Sequence, residues 1–435
     1  MLIFVSQNSP RLQFIAEHIF CSVLNGQVKI TTDQTIFMEH PSIAINYSHL
    51  TLNKGIHILP SPLLFEEDVH PMEDIEVAEW EELPCFFKNK KGDVPFDIFA
   101  ASFFLISRYE EYFPQKLDEH RRYRPEESLA FKHNFLEQAL VDQWAYKLLE
   151  LIKKCGYDTS IFKLRNYKII HTYDIDQPYA YRNKGLVKNF YGGMRDLFSG
   201  NISSFFKRLT TILHLRKDPY FKAIQWIEDF HSSRKLPFYL FALHGPYEKM
   251  GRSTIYPLRC YYKYLKNLKY AEIGLHPSYS ASFKKDKIDK EHKDLERRLS
   301  KKVSANRQHY LRMQIPSTYR QLNSLGFKED FSLAYAKLPG FRASTALPFP
   351  FYDLIDNTCT KLIIRSTVVM DACLITHLGL SPEDALKKTH ALLDTCKKTG
   401  GDFIMIWHNS NLAAYEIKSG KANPWIDVFM KISNP

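Results

Sequence analysis

The chain has 435 residues, 45% of them hydrophobic and 25% charged, a composition that excludes a disordered or fibrous protein and makes two or three domains the expectation. Its seven cysteines are odd in number, scattered and without a C-x-x-C pair, which excludes a disulfide framework and a thiolate zinc site. The net charge of +11 is uneven: residues 1–165 hold 17 Lys/Arg against 24 Asp/Glu and the rest 42 against 24, a break that predicts a domain boundary near residue 160.

The opening residues carry no basic flank or cleavage site of a secretory signal, and no run of about 18 apolar residues follows. The expectation is a cytoplasmic protein without a transmembrane segment. In chain order, LIFVS reads as a strand, and Ser9-Pro10 as the cap and first turn of a helix running to Leu24. IAINYS and IHILPS read as short strands, the acidic residues 66–82 as a solvated loop, and FDIFAASFFLISRYEEYF as a helix. From Phe131 to Lys154 one apolar stripe, with Phe131, Phe135, Leu140, Trp144, Leu148 and Ile152, predicts a single helix. Residues 1–160 therefore read as a small α/β domain.

From Tyr167 the rhythm becomes strand, long segment, strand. Seven apolar runs recur: YKIIHTYD, PFYLFALH, AEIGLH, RQHYLRM, FSLAYA, KLIIRSTVVM and DFIMIWH. Helix candidates lie between them at 218–234, 257–269, 284–302, 315–326 and 381–401, the last with Ser381 as cap, Pro382 in the first turn and Gly400 as stop. Much of the basic excess is expected on 284–302, where interleaved acids mark a solvated helix face in preference to a nucleic-acid patch. Strands alternating with helices imply a mostly parallel sheet, and seven units fit a short or open barrel. The predicted fold is a distorted seven-stranded (β/α) barrel over residues 161–435, preceded by a smaller α/β domain over 1–160. No G-x-G-x-x-G or P-loop supports nucleotide chemistry.

Chemistry-bearing residues cluster where these runs end: Asp174 and Asp176, His276, His309, Arg342, Asp371 and His408. The carboxyl ends of barrel strands converge on one mouth, so these side chains are expected to meet and to support metal-assisted hydrolysis. In an extended D-x-D both carboxylates point the same way, a costly arrangement without a cation. Taken alone, a D-x-D is a turn or cap device, and a strand-end histidine a structural donor.

With these residues the chain resembles the polysaccharide deacetylases, the NodB-homology group of carbohydrate esterases (carbohydrate esterase family 4). The resemblance rests on Thr172-Tyr173-Asp174-Ile175-Asp176, on Glu272-Ile273-Gly274-Leu275-His276, on Phe341-Arg342, on Asp371 and on Ile406-Trp407-His408, in family order. It implies a divalent metal, zinc first, held by Asp176 and His276, with Asp174 as general base and His408 as acid. Arg342 would fix Asp174, and Asp371 would orient His408. Ser280 stands where the family has its second motif histidine; His309 is the candidate third ligand, with a structural or substrate-binding role as its alternative, and His244 is held in reserve. The N-terminal region resembles the accessory domain that precedes some members. The implied partner is an amino sugar or glycan, lipid-linked precursors included, with no nucleic acid; Tyr173, Tyr179, Tyr181, Phe349, Phe351, Tyr352 and Trp407 are candidates to stack on sugar faces. Two other readings stay open: a glycan- or partner-binding barrel without catalysis, and an amidohydrolase of a small non-sugar amide.

Overall fold

The computed structural model describes all residues except 73, 115, 252–253, 255–257, 414–422 and 435. Its first part is a parallel sheet of order β2-β1-β3-β4, built from β1 (Leu2–Val5), β2 (Lys29–Thr31), β3 (Ala44–Tyr47) and β4 (Ile56–His57). Every residue of β1 and β3 is buried, as in a parallel sheet covered on both faces. Ser9 caps the helix Pro10–Glu17 by accepting from the Leu12 N–H, and a wider helical turn continues to Val23. The acidic stretch is loop until its last turns, where β5 (Ala78–Trp80) pairs antiparallel with β6 (Leu83–Cys85).

The single helix expected from Phe131 to Lys154 is two helices, Leu129–Lys132 and Leu140–Lys154. Ser128 caps the first, and Asn134 at φ 60 turns the chain out of it, so Phe131 leaves the buried stripe and is 40% exposed.

The second part carries a nine-stranded sheet of order β12-β13-β11-β10-β9-β8-β7-β15-β14. Its strands are β7 (Lys168–Ile175), β8 (Phe238–His244), β9 (Ala271–Pro277), β10 (Ala305–Asn306), β11 (Glu329–Asp330), β12 (Phe349–Asp353), β13 (Thr358–Ile364), β14 (Val369–Met370) and β15 (Asp402–His408). All pairings are parallel except β12 with β13. The protein is thus a mixed α/β structure with a large, parallel-rich sheet.

RQHYLRM and FSLAYA are not strands; the ladder uses the residues just before each, in β10 and β11. Asn306 and Asp330 are polar and buried, the Asn306 amide donating to Asp330 Oδ2 at 2.7 Å and Ser332 Oγ donating to the same oxygen at 2.8 Å, so hydropathy alone does not mark these short strands. KLIIRSTVVM is one run that changes neighbours. Arg365 N donates to Asp330 O and Thr367 N to Leu333 O on the β11 side, and Val368 N then donates to Ile404 O on β15.

Helices Pro219–Arg234, Lys285–Leu299, Ser317–Ser324 and Pro382–Thr399 lie where expected. Arg259–Lys266 matches the fifth candidate, whose first residue, 257, is outside the described residues. The helices Leu186–Phe198, Ile202–Ile212 and Pro424–Ser433 were not expected. Among the described residues no helix is long and apolar enough to cross a membrane.

The two parts share one apolar core. At their seam Asp142, fully buried, accepts from Thr345 Oγ1 at 2.6 Å and from the Ala346 N–H at 2.8 Å. Burial, only partly opposed by those two bonds, pushes its carboxyl up to about 7. A raised carboxyl stabilises the fold fully below its unfolded pKa and loses that contribution as pH rises through the folded value. The melting temperature of the native protein relative to Asp142→Asn is therefore expected to fall between pH 5 and pH 8, as thermal unfolding at both pH values would show; a constant difference would contradict this.

Candidate functional site

Parallel pairing brings the ends of the central strands level: Asp174 of β7 lies beside His408 of β15, and Leu243 of β8 beside His276 of β9. Gly274, two residues before His276, is required by contact, since a Cβ there would stand 2.4 Å from the Phe241 ring. Past β10 the chain leaves the ladder and turns through Tyr310 at φ 61, which places His309 on the rim and not on a strand.

Asp176, His276 and His309 come together, with one ligand atom from each lying within 4.8 Å of the others. Asp176 Oδ1 is 3.4 Å from His276 Nε2 and 3.5 Å from His309 Nδ1, and those nitrogens are 3.0 Å apart. Their far nitrogens fix the tautomers of the neutral rings. His276 Nδ1 lies 2.6 Å from the Arg307 carbonyl and His309 Nε2 lies 3.1 Å from the Met250 carbonyl. A carbonyl only accepts, so each far nitrogen carries the proton and each near nitrogen presents a lone pair. Asp176 Oδ1 is buried without a hydrogen-bond partner. Three acceptors therefore face one point, an arrangement that repels itself unless a cation lies among them. Two imidazoles and a carboxylate suit a divalent ion chemically.

The electrostatics agree. Burial pushes the His309 imidazole down to about 4, which keeps it neutral at pH 7. Burial would raise the Asp176 carboxyl, but the surrounding histidines, His309 and His276 when protonated and the cationic His408, hold it well below the ordinary range. His408 stands opposite, its Nε2 3.8 Å from Asp176 Oδ2. Its Nδ1 lies 2.7 Å from Asp371 Oδ1, and its own N–H donates to Asp371 Oδ2 at 2.7 Å. Burial disfavours its charge, yet Asp371 prevails and raises the imidazole to about 10. Asn411 donates to the same carboxylate at 3.0 Å, holding it in place.

Arg342 is not at this site. Its Nε donates to Glu111 Oε1 at 2.8 Å, its Nη2 reaches Glu111 Oε2 at 2.5 Å, and its Nη1 donates to Ala334 O, which ties the first part of the chain to the second. The expectation that it fixes Asp174 is corrected by Arg307. That side chain, fully buried, donates from Nη1 to Asp174 Oδ1 at 2.7 Å, from Nη2 to Thr172 Oγ1 at 2.8 Å and from Nε to Phe331 O at 3.1 Å. Its guanidinium carbon lies 4.3 Å from the Phe241 ring centroid, a cation–π contact inside the sheet. Sequence offers one weak signal for Arg307: it precedes His309 by two residues in NRQHYLR.

Ser280 bonds Ser278 and Lys287 and takes no place beside the triad. His244 is held by the Tyr262 hydroxyl at 2.7 Å and Asp294 at 2.8 Å. Among the sugar-stacking candidates, Tyr173, Phe349, Phe351, Tyr352 and Trp407 are core residues, and Tyr179 and Tyr181 are also buried. The aromatic beside the triad is Tyr310, 38% exposed and 4.7 Å from the His309 ring, with Tyr279 at 5.4 Å from it and His120 of the first part at 4.9 Å.

Comparison with known proteins adds little. Residues 1–157 match the model of a family described as "Family of unknown function (DUF7033)". No curated protein matches the chain. A solved structure from Mycobacterium smegmatis, described as a "putative polysaccharide deacetylase", superposes with a TM-score of 0.40 at 13% identity, covering 62% of this chain and 85% of that one. Similarity at that level does not bear on fold or chemistry.

Replacing Arg307 by Met leaves Asp174 buried without its cation and is expected to cost about 3 kcal/mol or more; urea unfolding measures it, and a loss under about 1 kcal/mol would show the pair to be dispensable. In Asp371→Asn the His408 imidazole should titrate at least about one unit lower than in the native protein, read by NMR of the ring protons.

Proposed function

We propose that the protein is a metal-dependent hydrolase that removes an acyl group, acetyl in first place, from an amino sugar or glycan precursor. The observation that carries this reading is the meeting of His276 Nε2, His309 Nδ1 and Asp176 Oδ1 on one point with no donor between them. The motif resemblance at Asp174, Asp176, His276 and His408 supports the choice of an acyl-sugar substrate. A seven-position barrel is supported by the run Thr358–Met370, which joins the β11 and β15 flanks of the parallel sheet. A division near residue 160 is supported by the charge break and by the family match to residues 1–157.

Asp176, His276 and His309 would hold the ion, zinc by its donor set, and a bound divalent cation supplies a water of lowered pKa and polarisation of the acyl carbonyl. Asp174 keeps one oxygen on Arg307; its Oδ2, 3.8 Å from His276 Nε2, faces the site and takes the proton of the attacking water. His408, protonated through neutral pH by Asp371, gives its proton to the leaving amine or hydroxyl. Arg307 holds the base, and Asp371 holds the acid. His309 fills the ligand role that Ser280 vacates.

Elemental analysis of the purified protein should give about one divalent ion per chain, lost in Asp176→Ala and reduced at least tenfold in affinity in His309→Ala. Asp174→Asn should keep the ion and lose about a hundredfold or more of deacetylation on an N-acetyl sugar panel. Metal content unchanged in His309→Ala would remove that residue from the ligand set, and turnover of small amides alone would move the substrate away from sugars.

A further inference from the structure

Between β7 and β8 the chain forms a pair of helices, Leu186–Phe198 and Ile202–Ile212, whose faces are reversed. Small and polar residues, with the half-buried Phe205 ring against Gly193, make the inner contact. Gly193, Ser204 and Thr211 are the buried residues, and a Cβ at Gly192 would stand 2.6 Å from the Arg208 guanidinium, which also pairs with Asp196 at 2.8 Å. Most of the apolar residues face out at helical spacing: Val187, Phe190, Tyr191 and Phe198 on one helix; Ile202, Phe206 and Leu209 on the other, with Leu213 at its end. Phe198 is 83% exposed, Leu186 80% and Leu215, just past the second helix, 76%.

The same segment is strongly basic. Residues 182–217 contain eight Lys/Arg and one acid, Asp196, so most of the chain's net +11 sits here. That exceeds the net of +4 on 284–302, where the sequence pattern placed much of the basic excess.

We propose that this helix pair is an interfacial anchor that seats the protein on an anionic lipid bilayer. An exposed apolar stripe flanked by Lys and Arg gains from burial among acyl chains and from attraction to anionic headgroups together. Helices of 13 and 11 residues are about 20 and 16 Å long, too short to span a core of about 30 Å, so they lie in the interface plane. A second copy of this chain is disfavoured as the cover, because stacking two such faces sets like charge against like charge.

The pair follows the strand that ends in Asp174 and Asp176. Lys188 lies 4.5 Å from the ring centroid of Tyr247, in the loop after β8 that also supplies the Met250 carbonyl to His309. Seating the pair on a membrane therefore brings the loop that holds His309 close to the headgroups. The corollary, that the acyl sugar is presented on a lipid, rests on the hydrolase reading above; the seating does not.

Co-sedimentation of the full chain with phosphatidylglycerol/phosphatidylcholine vesicles tests it, without substrate or added metal. Binding is expected at low salt and should weaken about tenfold or more in Phe198→Ser/Leu215→Ser and in Lys207→Glu/Lys217→Glu, both at surface positions and checked for native thermal unfolding. Equal binding to pure phosphatidylcholine would overturn the anionic part. Absence of vesicle binding, or binding unchanged in both variants, would overturn the proposal, as would a solution dimer on sedimentation velocity that does not bind vesicles and that Phe198→Ser/Leu215→Ser dissociates. Vesicle binding by a protein that hydrolyses no acyl sugar would leave the anchor standing and remove the hydrolase reading alone.

Discussion

Two backbone carbonyls decide the chemistry of this molecule. Those of Arg307 and Met250 each accept from the outer nitrogen of a histidine and thereby turn the inner nitrogens of His276 and His309 into lone pairs aimed at Asp176. Either ring flipped would offer a donor, and the carboxylate would be satisfied by an ordinary hydrogen bond. The Arg307 carbonyl is a stronger constraint than a side chain because its position is set by the sheet: Arg307 follows directly on the β10 ladder, while Met250 lies in the loop after β8.

Arg307 links that constraint to the interior. Its carbonyl orients His276 while its guanidinium, buried against Phe241 and Phe331, holds Asp174 and Thr172. A buried guanidinium is tolerable only with its donors satisfied, and Asp174, Thr172 and the Phe331 carbonyl meet that need. One residue therefore fixes an imidazole, a carboxylate and the packing beneath both. Asp371 does the corresponding work for His408, so the same mouth holds two carboxyl–cation pairs, Asp174 with Arg307 and Asp371 with His408.

The first part of the chain is not a bystander to this arrangement. Glu111 takes Arg342, Asp142 takes Thr345 and the Ala346 N–H, and His120 packs on Tyr310 beside the triad. A common apolar core runs under all of these contacts. The charge break near residue 160 marks a change in composition that the packing crosses freely.

The pieces that depend on local order are legible along the chain. Alternation along an extended strand sets Asp174 and Asp176 on one face, apolar runs ending in Asp or His mark β7, β8, β9 and β15, and Ser381 with Gly400 bounds its helix, because periodicity and capping are properties of neighbours in the chain. Long-range packing chose the arginine that serves Asp174. Arg342 follows a phenylalanine much as the motif asks, yet Glu111, some 230 positions away in the chain, captures it. The same holds for Asn306 and Asp330 of β10 and β11, which are buried by satisfying one another, and for the helix pair after β7, whose apolar residues stand exposed. Burial and partner choice are settled by residues distant in the chain, and no local pattern encodes them.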